Sequence, residues 1–301
     1  MMAARRDQAV HGVLLENEPM ARHTTWRVGG PAARYYQPAG IDDLAQFLAQ
    51  LPADEPLFWV GLGSNLLVRD GGIRGTVIAT AGLLGGIAQI GDITVRVEAG
   101  VPCAKVARFC ARLGLTGAEF LAGIPGTLGG ALAMNAGAFG GETWKLVHTV
   151  ETLNRTGQRR ERAAQEYHVG YREVHGPAGE WFVAATLQLQ HGDTEAASAR
   201  IRELLDKRAA TQPTQQPNAG SVFRNPPGDY AARLIESCGL KGRCIGGACV
   251  SEKHANFIVN TGAATAADIE ALIDEVAATV QRQCGIGLVR EVHIVGERSG
   301  G

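Results

Sequence analysis

Residues 120–141 limit what this chain can fold into more than any other segment. They include no charged residue, and they hold seven glycines together with Pro125 and Asn135. The segment is as long as the ~20 apolar residues of a membrane span, and Gly126 to Gly130 is a G-x-x-x-G. Each glycine, however, costs a helix about 1 kcal/mol relative to alanine, so no span is expected. A neutral, glycine-dense segment in a soluble chain is predicted to lie buried against something flat and large. Glycine is in excess throughout, at 40 of 301 residues, about twice the usual ~7%. There is no G-X-Y period, so the excess must serve tight turns and close backbone approach to a ligand.

A chain of 301 residues, 45% of them hydrophobic, can bury a sizeable core, and two or three domains are expected. Lys and Arg number 29 against 30 Asp and Glu, for a net charge of −1. That balance argues against a dedicated nucleic-acid or anionic-membrane binder. The six cysteines (Cys103, Cys110, Cys238, Cys244, Cys249 and Cys284) form no C-x-x-C and no zinc-finger spacing with histidine. They read as small buried hydrophobes in a reducing cytosol, with no metal site. Arg5 and Arg6 lie near the N-terminus, but Asp7, His11 and Glu16 interrupt any apolar stretch. No signal peptide is expected, and the predicted location is cytoplasmic.

The periodicity mixes helices and strands. Helices are predicted over residues 42–51, 102–113 and 193–210, the last capped by Asp193 or Thr194 with Ile201, Leu204 and Leu205 on one face. Strands are predicted over residues 57–60, 76–80, 93–98, 144–153 and 181–190. Residues 211–217 contain two prolines and no aliphatic side chain and read as a linker. Beyond it come a helix over 229–238, a strand over 256–260, a helix over 265–284 and a closing strand over 287–295. The 265–284 helix is the clearest: Thr265 caps it with Asp268 at N3, Ile269, Leu272, Ile273, Val276 and Val280 form its apolar face, and Gly285 ends it.

G-x-G-x-x-G, G-x-x-x-x-G-K-[ST] and H-E-x-x-H are all absent, so a Rossmann site, a P-loop and a zincin are disfavoured. Four other motifs stand out. Gly61-Leu62-Gly63-Ser64-Asn65-Leu66-Leu67 follows an apolar strand; its amides can form a nest for phosphate oxygens, or simply end the strand. Gly123-Ile124-Pro125-Gly126-Thr127-Leu128-Gly129-Gly130 runs on to Asn135, Gly137 and Gly140, a surface suited to an isoalloxazine or pyrophosphate, or a compact buried loop. Gly220-Ser221 lies just past the linker without a G-x-S-x-G elbow, so Ser221 is not an acyl-transfer nucleophile. It is either a proton donor or a turn residue. Glu291 interrupts the run Leu288-Val289-Arg290-Glu291-Val292-His293-Ile294; on period-2 spacing it shares a face with Val289 and His293, and an exposed strand face accounts for that.

These motifs occur in order with Thr24-Thr25-Trp26-Arg27-Val28-Gly29-Gly30, Tyr171-Arg172, Asn218-Ala219-Gly220-Ser221-Val222-Phe223-Arg224-Asn225-Pro226 and residues 234–260 (LIESCGLKGRCIGGACVSEKHANFIVN). Together they resemble the UDP-N-acetylenolpyruvoylglucosamine reductase family over about residues 20–297. The glycine loops alone would fit any member of the wider vanillyl-alcohol-oxidase-like FAD family; the C-terminal motifs are the specific part. Arg172 and Ser221 are close enough in sequence to resemble the subtype lacking an extra tyrosine loop. After Tyr171-Arg172 the chain has Glu173-Val174, where the family pattern carries a small polar residue near position 174.

The resemblance implies an α+β fold. A short N-terminal segment (1–20) would precede a two-subdomain FAD-binding region of the vanillyl-alcohol-oxidase/PCMH type (21–205, split near 90). A C-terminal α+β substrate-binding lobe (206–301) would follow. It implies FAD held by Gly61, Gly63, Ser64, Asn65, Leu66, Gly123, Ile124, Pro125, Gly126, Gly129, Gly130, Asn135 and Gly137. NADPH would act as a transient hydride donor, reducing the flavin before leaving. The substrate would be UDP-N-acetylglucosamine enolpyruvate, with hydride going to C3, charge building on C2 and its carboxylate, and UDP-N-acetylmuramate as product. Arg172 would stabilise that charge, Glu291 would polarise the substrate carboxyl, and Ser221 would protonate C2. Tyr171 and Asn225 would bind substrate, Asn225 at the diphosphate, with either Lys207 or Arg208 as a further basic contact. No obligate protein partner is implied.

Two other readings stay open. An FAD oxidase or dehydrogenase acting on an alcohol would explain the glycine motifs but needs neither Ser221 nor Glu291. A flavin-binding scaffold without catalysis would not require all three matched catalytic positions to be filled. His254 is read as structural. Trp26, Trp59, Trp144 and Trp181 are read as core residues.

Overall fold

The computed structural model describes residues 10–300. Arg5, Arg6 and Asp7, part of the signal-peptide reading, lie outside them. The first sheet has the strand order Val13–Pro19, Pro31–Gln37, Ile73–Ala79, Leu57–Val60. Its first pairing is antiparallel and the other two are parallel. Helix α1 (Ile41–Gln50) carries the chain from one side of Ile73–Ala79 to the other, the crossover that parallel pairing requires. It buries Leu44, Phe47 and Leu48, with Phe47 stacked on Tyr36 at 3.6 Å between ring centres.

The second sheet is five-stranded and antiparallel, in the order Arg159–Ala163, Val147–Asn154, Glu180–Gln188, Thr94–Glu98, Ile87–Gln89. Helix α2 (Cys103–Arg112), the six-residue helix α3 (Leu128–Ala133) and helix α4 (Thr194–Thr211) share one core with it. That core joins Val106, Leu128 and Ile201 to Val95, Val97, Val150 and Leu187. Asp193 caps α4 by accepting from Ala196 N at 2.7 Å. Trp144 departs from the expected strand. It sits in the 3-10 turn Thr143–Lys145, and its indole N–H donates to Leu132 O at 2.8 Å. A buried indole needs an acceptor, and the turn provides one that a strand position does not.

Residues 120–141 form the 3-10 turn Glu119–Gly123, then α3, then a hairpin of Gly137–Ala138 with Gly141–Glu142. No helix among the described residues is long and apolar enough to cross a membrane.

The last third of the chain holds α5 (Ala231–Ser237), α6 (Ala266–Cys284) and a three-stranded antiparallel sheet of Cys244–Ile245, Ala248–Val250 and Ile258–Asn260. Helix α6 has the expected ends: Thr265 and Asp268 exchange hydrogen bonds of 3.0 and 2.9 Å, and Gly285 is left-handed at φ 71°. The core of this lobe includes Trp26, Val28 and Leu67 from the other end of the chain. Trp26 Nε1 donates to Ile258 O at 2.8 Å, and Asn260 Nδ2 donates to Trp26 O at 2.9 Å. Arg69 forks onto Glu270 at 2.8 and 2.9 Å. The expected linker is short and held down: Asn218 Nδ2 donates to Pro213 O and Gln216 O, and Asn260 N to Pro217 O.

Three expectations change. The closing strand forms only over His293–Val295, paired in parallel with Leu66–Val68. Ahead of it Glu291 N donates to Val222 O at 2.8 Å, so Glu291 lies on no exposed strand face; its side chain is 12% exposed. The cysteines are not uniformly reduced. Cys103 and Cys110 are buried, and burial pushes both thiols up to about 12, but Cys244 and Cys249 form a disulfide. They sit directly opposite across a hairpin turned by Gly246-Gly247, with Cα atoms 4.1 Å apart, so the fold brings them within bridging reach. Finally, Trp26 and Trp144 are core residues, but Trp59 and Trp181 are only half-buried and stack on each other at 5.3 Å.

Candidate active site

A cleft of about 290 Å³ opens between the two sheets and the C-terminal lobe. Its first wall is the turn after Val60. Gly63 adopts φ 61°, and a Cβ there would lie 2.0 Å from His23 O, so only glycine lets the turn close onto residues 23–25. The turn presents Ser64 and Asn65 to the cleft. Asn65 also ties the walls together, its Nδ2 lying 3.2 Å from Glu291 O and 3.5 Å from Met134 Sδ.

The second wall comprises Gly123, Ile124, Pro125, Met134 and residues 136–139. It carries no charge, and its glycines let the backbone pack closely behind it: a Cβ on Gly123 would lie 2.4 Å from the Phe139 ring, and one on Gly137 2.4 Å from Gly141 O. Such a wall fits the face of a planar, largely neutral ring, so the residues present suit a flavin. Gly61, Gly129 and Gly130 line a second cavity with Trp59 and Trp181.

The third wall carries the charges. His168–Gly170 and Glu173–His175 form a hairpin with Tyr171-Arg172 at its tip, held by packing among Tyr167, Trp144 and Phe182. Arg172 has a left-handed backbone, φ 59°. Its guanidinium donates to Asn135 O at 3.4 Å and Gly137 O at 3.0 Å, and its Nε lies 2.9 Å from Glu291 Oε1. That Nε–H is not aimed at the oxygen, so the contact is coulombic rather than a directed hydrogen bond. A guanidinium has five N–H donors, more than these contacts use. Burial raises the Glu291 pKa above its ordinary value of 4.5, and the neighbouring Arg172 and Arg224 offset this only in part. Ser221 lines the same cleft from the turn after Gly220.

The fold therefore brings Arg172, Ser221, Glu291, Ser64, Asn65, Gly123, Ile124, Pro125 and Gly137 to one cleft. Other expected residues lie elsewhere. Leu66 is buried in Leu66–Val68, its side chain turned into the core by strand alternation. Gly126 faces Ser64, its virtual Cβ 3.5 Å from Ser64 Oγ. Asn135 is 3% exposed, with both ends of its amide bonded inside the protein. Tyr171 points outward, 54% exposed. Asn225 Oδ1 caps α5 by accepting from Ala231 N at 3.1 Å. Of the two basic candidates, Arg208 reaches the cleft; helical rotation of 100° per residue turns adjacent Lys207 away. Arg224 carried no assigned role in the sequence reading, yet it donates to Arg172 O at 3.3 Å. Phe257 was likewise unmarked, and it lines the cleft. No local sequence signal distinguishes either.

Comparison with known proteins agrees with this geometry. Residues 32–161 match the family model described as FAD binding domain, and residues 212–295 match the model described as UDP-N-acetylenolpyruvoylglucosamine reductase, C-terminal domain. The chain is 65% identical to the UDP-N-acetylenolpyruvoylglucosamine reductase of Methylococcus capsulatus over 98% of its own length and 97% of that protein. It is 63% identical to that of Alkalilimnicola ehrlichii over 99% of both. Among solved structures, the UDP-N-acetylenolpyruvylglucosamine reductase of Thermus caldophilus superposes with a TM-score of 0.80 at 34% identity, covering 94% of this chain and 98% of that one. The 6-hydroxy-D-nicotine oxidase of Arthrobacter nicotinovorans, 12% identical, superposes with a TM-score of 0.56 over 95% of this chain and 90% of that one. That likeness shows the fold alone.

Proposed function

Because this chain belongs to the UDP-N-acetylenolpyruvoylglucosamine reductase family and is an FAD-dependent oxidoreductase, we propose that it reduces UDP-N-acetylglucosamine enolpyruvate to UDP-N-acetylmuramate with NADPH. The observation that carries this reading is the meeting of a serine, an arginine and a buried carboxyl opposite an uncharged, glycine-rich wall. Gly123, Ile124, Pro125 and Gly137, with Ser64 and Asn65, would hold FAD, which would supply hydride-transfer chemistry between NADPH and the vinyl carbon C3, so that one cleft serves the two substrates in turn.

The protein's own groups handle the charge and the proton. As C3 gains hydride, negative charge builds on C2 and its carboxylate. Arg172 is pre-placed by two backbone carbonyls and stabilises that charge without reorganising. Glu291, whose burial favours the protonated form, donates a hydrogen bond to the substrate carboxyl rather than repelling it. Ser221 delivers the proton to C2. A hydroxyl is a weak acid in water, but an enolate is basic enough to take its proton when the two are held in line. Arg208, with its ordinary pKa lowered by burial at the rim, and Asn225 at the α5 N-terminus supply contacts for the diphosphate. Residues 21–205 would hold the cofactor and residues 206–301 the sugar nucleotide, in the cytoplasm, where such nucleotides are made.

The test is an anaerobic titration of the purified protein. NADPH should bleach the visible flavin band, and the UDP-enolpyruvyl sugar should restore it. Reduction of the flavin by simple alcohols and its reoxidation by oxygen, with no response to the sugar, would favour an oxidase of the same fold.

A further inference from the structure

We infer that Asn135 is a positioning residue that sets the catalytic arginine through the hairpin carrying it, and is not a ligand of the cofactor. Its side chain is 3% exposed and both amide ends are engaged: Nδ2 donates to Gly170 O at 3.0 Å, and Oδ1 accepts from Trp144 N at 3.2 Å. With both ends tied to the protein and the side chain buried, the amide is directed away from a ring in the cleft. Gly170 immediately precedes the Tyr171-Arg172 tip. The backbone carbonyl of Asn135 accepts from Arg172 Nη1 at 3.4 Å. One residue thus holds both the strand end beside the tip and the guanidinium at the tip, while Trp144 anchors it to the sheet core.

Backbone conformation points the same way. Among the described residues only five non-glycine positions have positive φ, and three of them, Asn135 (44°), Phe139 (52°) and Arg172 (59°), border one small cavity beside the cleft. Left-handed arginine and phenylalanine persist only where the surroundings over-determine them, whereas asparagine tolerates this region better than most residues. The strained tip needs a fixed partner, and Asn135 is bonded both to Gly170, just before it, and to Arg172, within it.

The inference rests on the reading of Arg172 as the group that stabilises the developing charge. It is tested by a double-mutant cycle on reoxidation of the reduced holoenzyme by the UDP-enolpyruvyl sugar. Asn135→Ala should slow this step by about 10- to 100-fold, as expected when a catalytic group is displaced, with flavin content and the rate of reduction by NADPH unchanged. In an Arg172→Ala background the same substitution should cost less than about twofold, because the group it positions is gone. Asn135→Asp keeps the volume, the tolerance of positive φ and the acceptor for Trp144 N while losing the donor to Gly170 O. It should show the same pattern, and it carries the cycle if the alanine variant does not fold. Multiplicative losses in the double variant, loss of flavin, or unfolding of both variants would overturn the inference. A fast Arg172→Ala enzyme would instead refute the function proposed for the arginine.

Discussion

Arg172 and Glu291, from a hairpin in the second sheet's half of the molecule and from the last segment of the chain, meet at 2.9 Å on the cleft wall. Neither is 20% exposed: their side chains retain 19% and 12% of their free surface. The pair is held by backbone carbonyls on the arginine side and by Asn65 and Val222 on the glutamate main chain. The arginine side chain and the glutamate main chain are therefore held before a substrate arrives.

Replacing either member should separate chemistry from cofactor binding. Arg172→Ala or Glu291→Ala should lower sugar-dependent turnover by on the order of 10²–10³, the usual cost of removing one preorganised stabilising group. FAD content should stay near one per chain. Isolation of either variant as apoprotein would mean that the pair supports the fold instead.

Ser221→Ala should divide the two half-reactions. Flavin reduction by NADPH should proceed at the native rate, while reoxidation by the sugar should be crippled, because only the second step needs a proton at C2. Stopped-flow absorbance follows both steps, and equal losses would count against the proton-donor role.

Glu291 also predicts a pH dependence of stability. Its folded pKa lies above the ordinary 4.5. Below that ordinary value the carboxyl is neutral in both states. As pH rises through 4.5 and then through the folded value, ionisation favours the unfolded chain and stability is lost. Glu291→Gln lacks this term. The stability of the variant relative to wild type should therefore improve as pH rises above about 4.5. Urea midpoints of the flavin-free proteins measure this, and a difference that is flat with pH would contradict the assignment.

Two glycines of the uncharged segment should respond differently to valine. At Gly126 a Cβ meets only ordinary contacts, the nearest 3.5 Å away at Ser64 Oγ, so Gly126→Val should fold; because Ser64 lines the cleft, the branched side chain beside it should displace Ser64 and lower flavin content. At Gly129 a Cβ would lie 2.8 Å from Ala99 Cβ and 3.1 Å from Ala99 O. Gly129→Val should lower thermal stability, because overpacking a tight contact typically costs about 1–3 kcal/mol. Flavin absorbance and melting temperature, measured on both variants, distinguish the two outcomes.

Trp26 joins the N-terminal part of the chain to the C-terminal lobe through Ile258 O. Trp26→Phe keeps most of the apolar bulk and removes the donor, leaving a buried carbonyl without its partner. The expected cost is about 1–3 kcal/mol in unfolding free energy, with the rate of flavin reduction unchanged in the folded protein.

Much of this protein follows from interactions that span a few residues. The α6 capping box, its apolar stripe and its left-handed Gly285 are all encoded within one helix, which is why its boundaries were legible. The uncharged glycine segment, the absence of a Rossmann fingerprint and the order of the motifs likewise needed no tertiary information. What the sequence alone did not determine is which way each group faces, because that depends on partners far along the chain. Asn65 and Asn135 resemble cofactor ligands by composition, yet their amides bond to Glu291 O and Gly170 O. Cys244 finds Cys249 only because a hairpin aligns them. Arg208 reaches the cleft, while adjacent Lys207, on the same helix α4, is turned away from it. Glu291 lies in a β-branched run that reads as an exposed strand. It becomes a buried acid because Val222, Asn65 and Arg172, from three distant segments, close around it. Burial and charge pairing are properties of that convergence, and only the tertiary structure decides them.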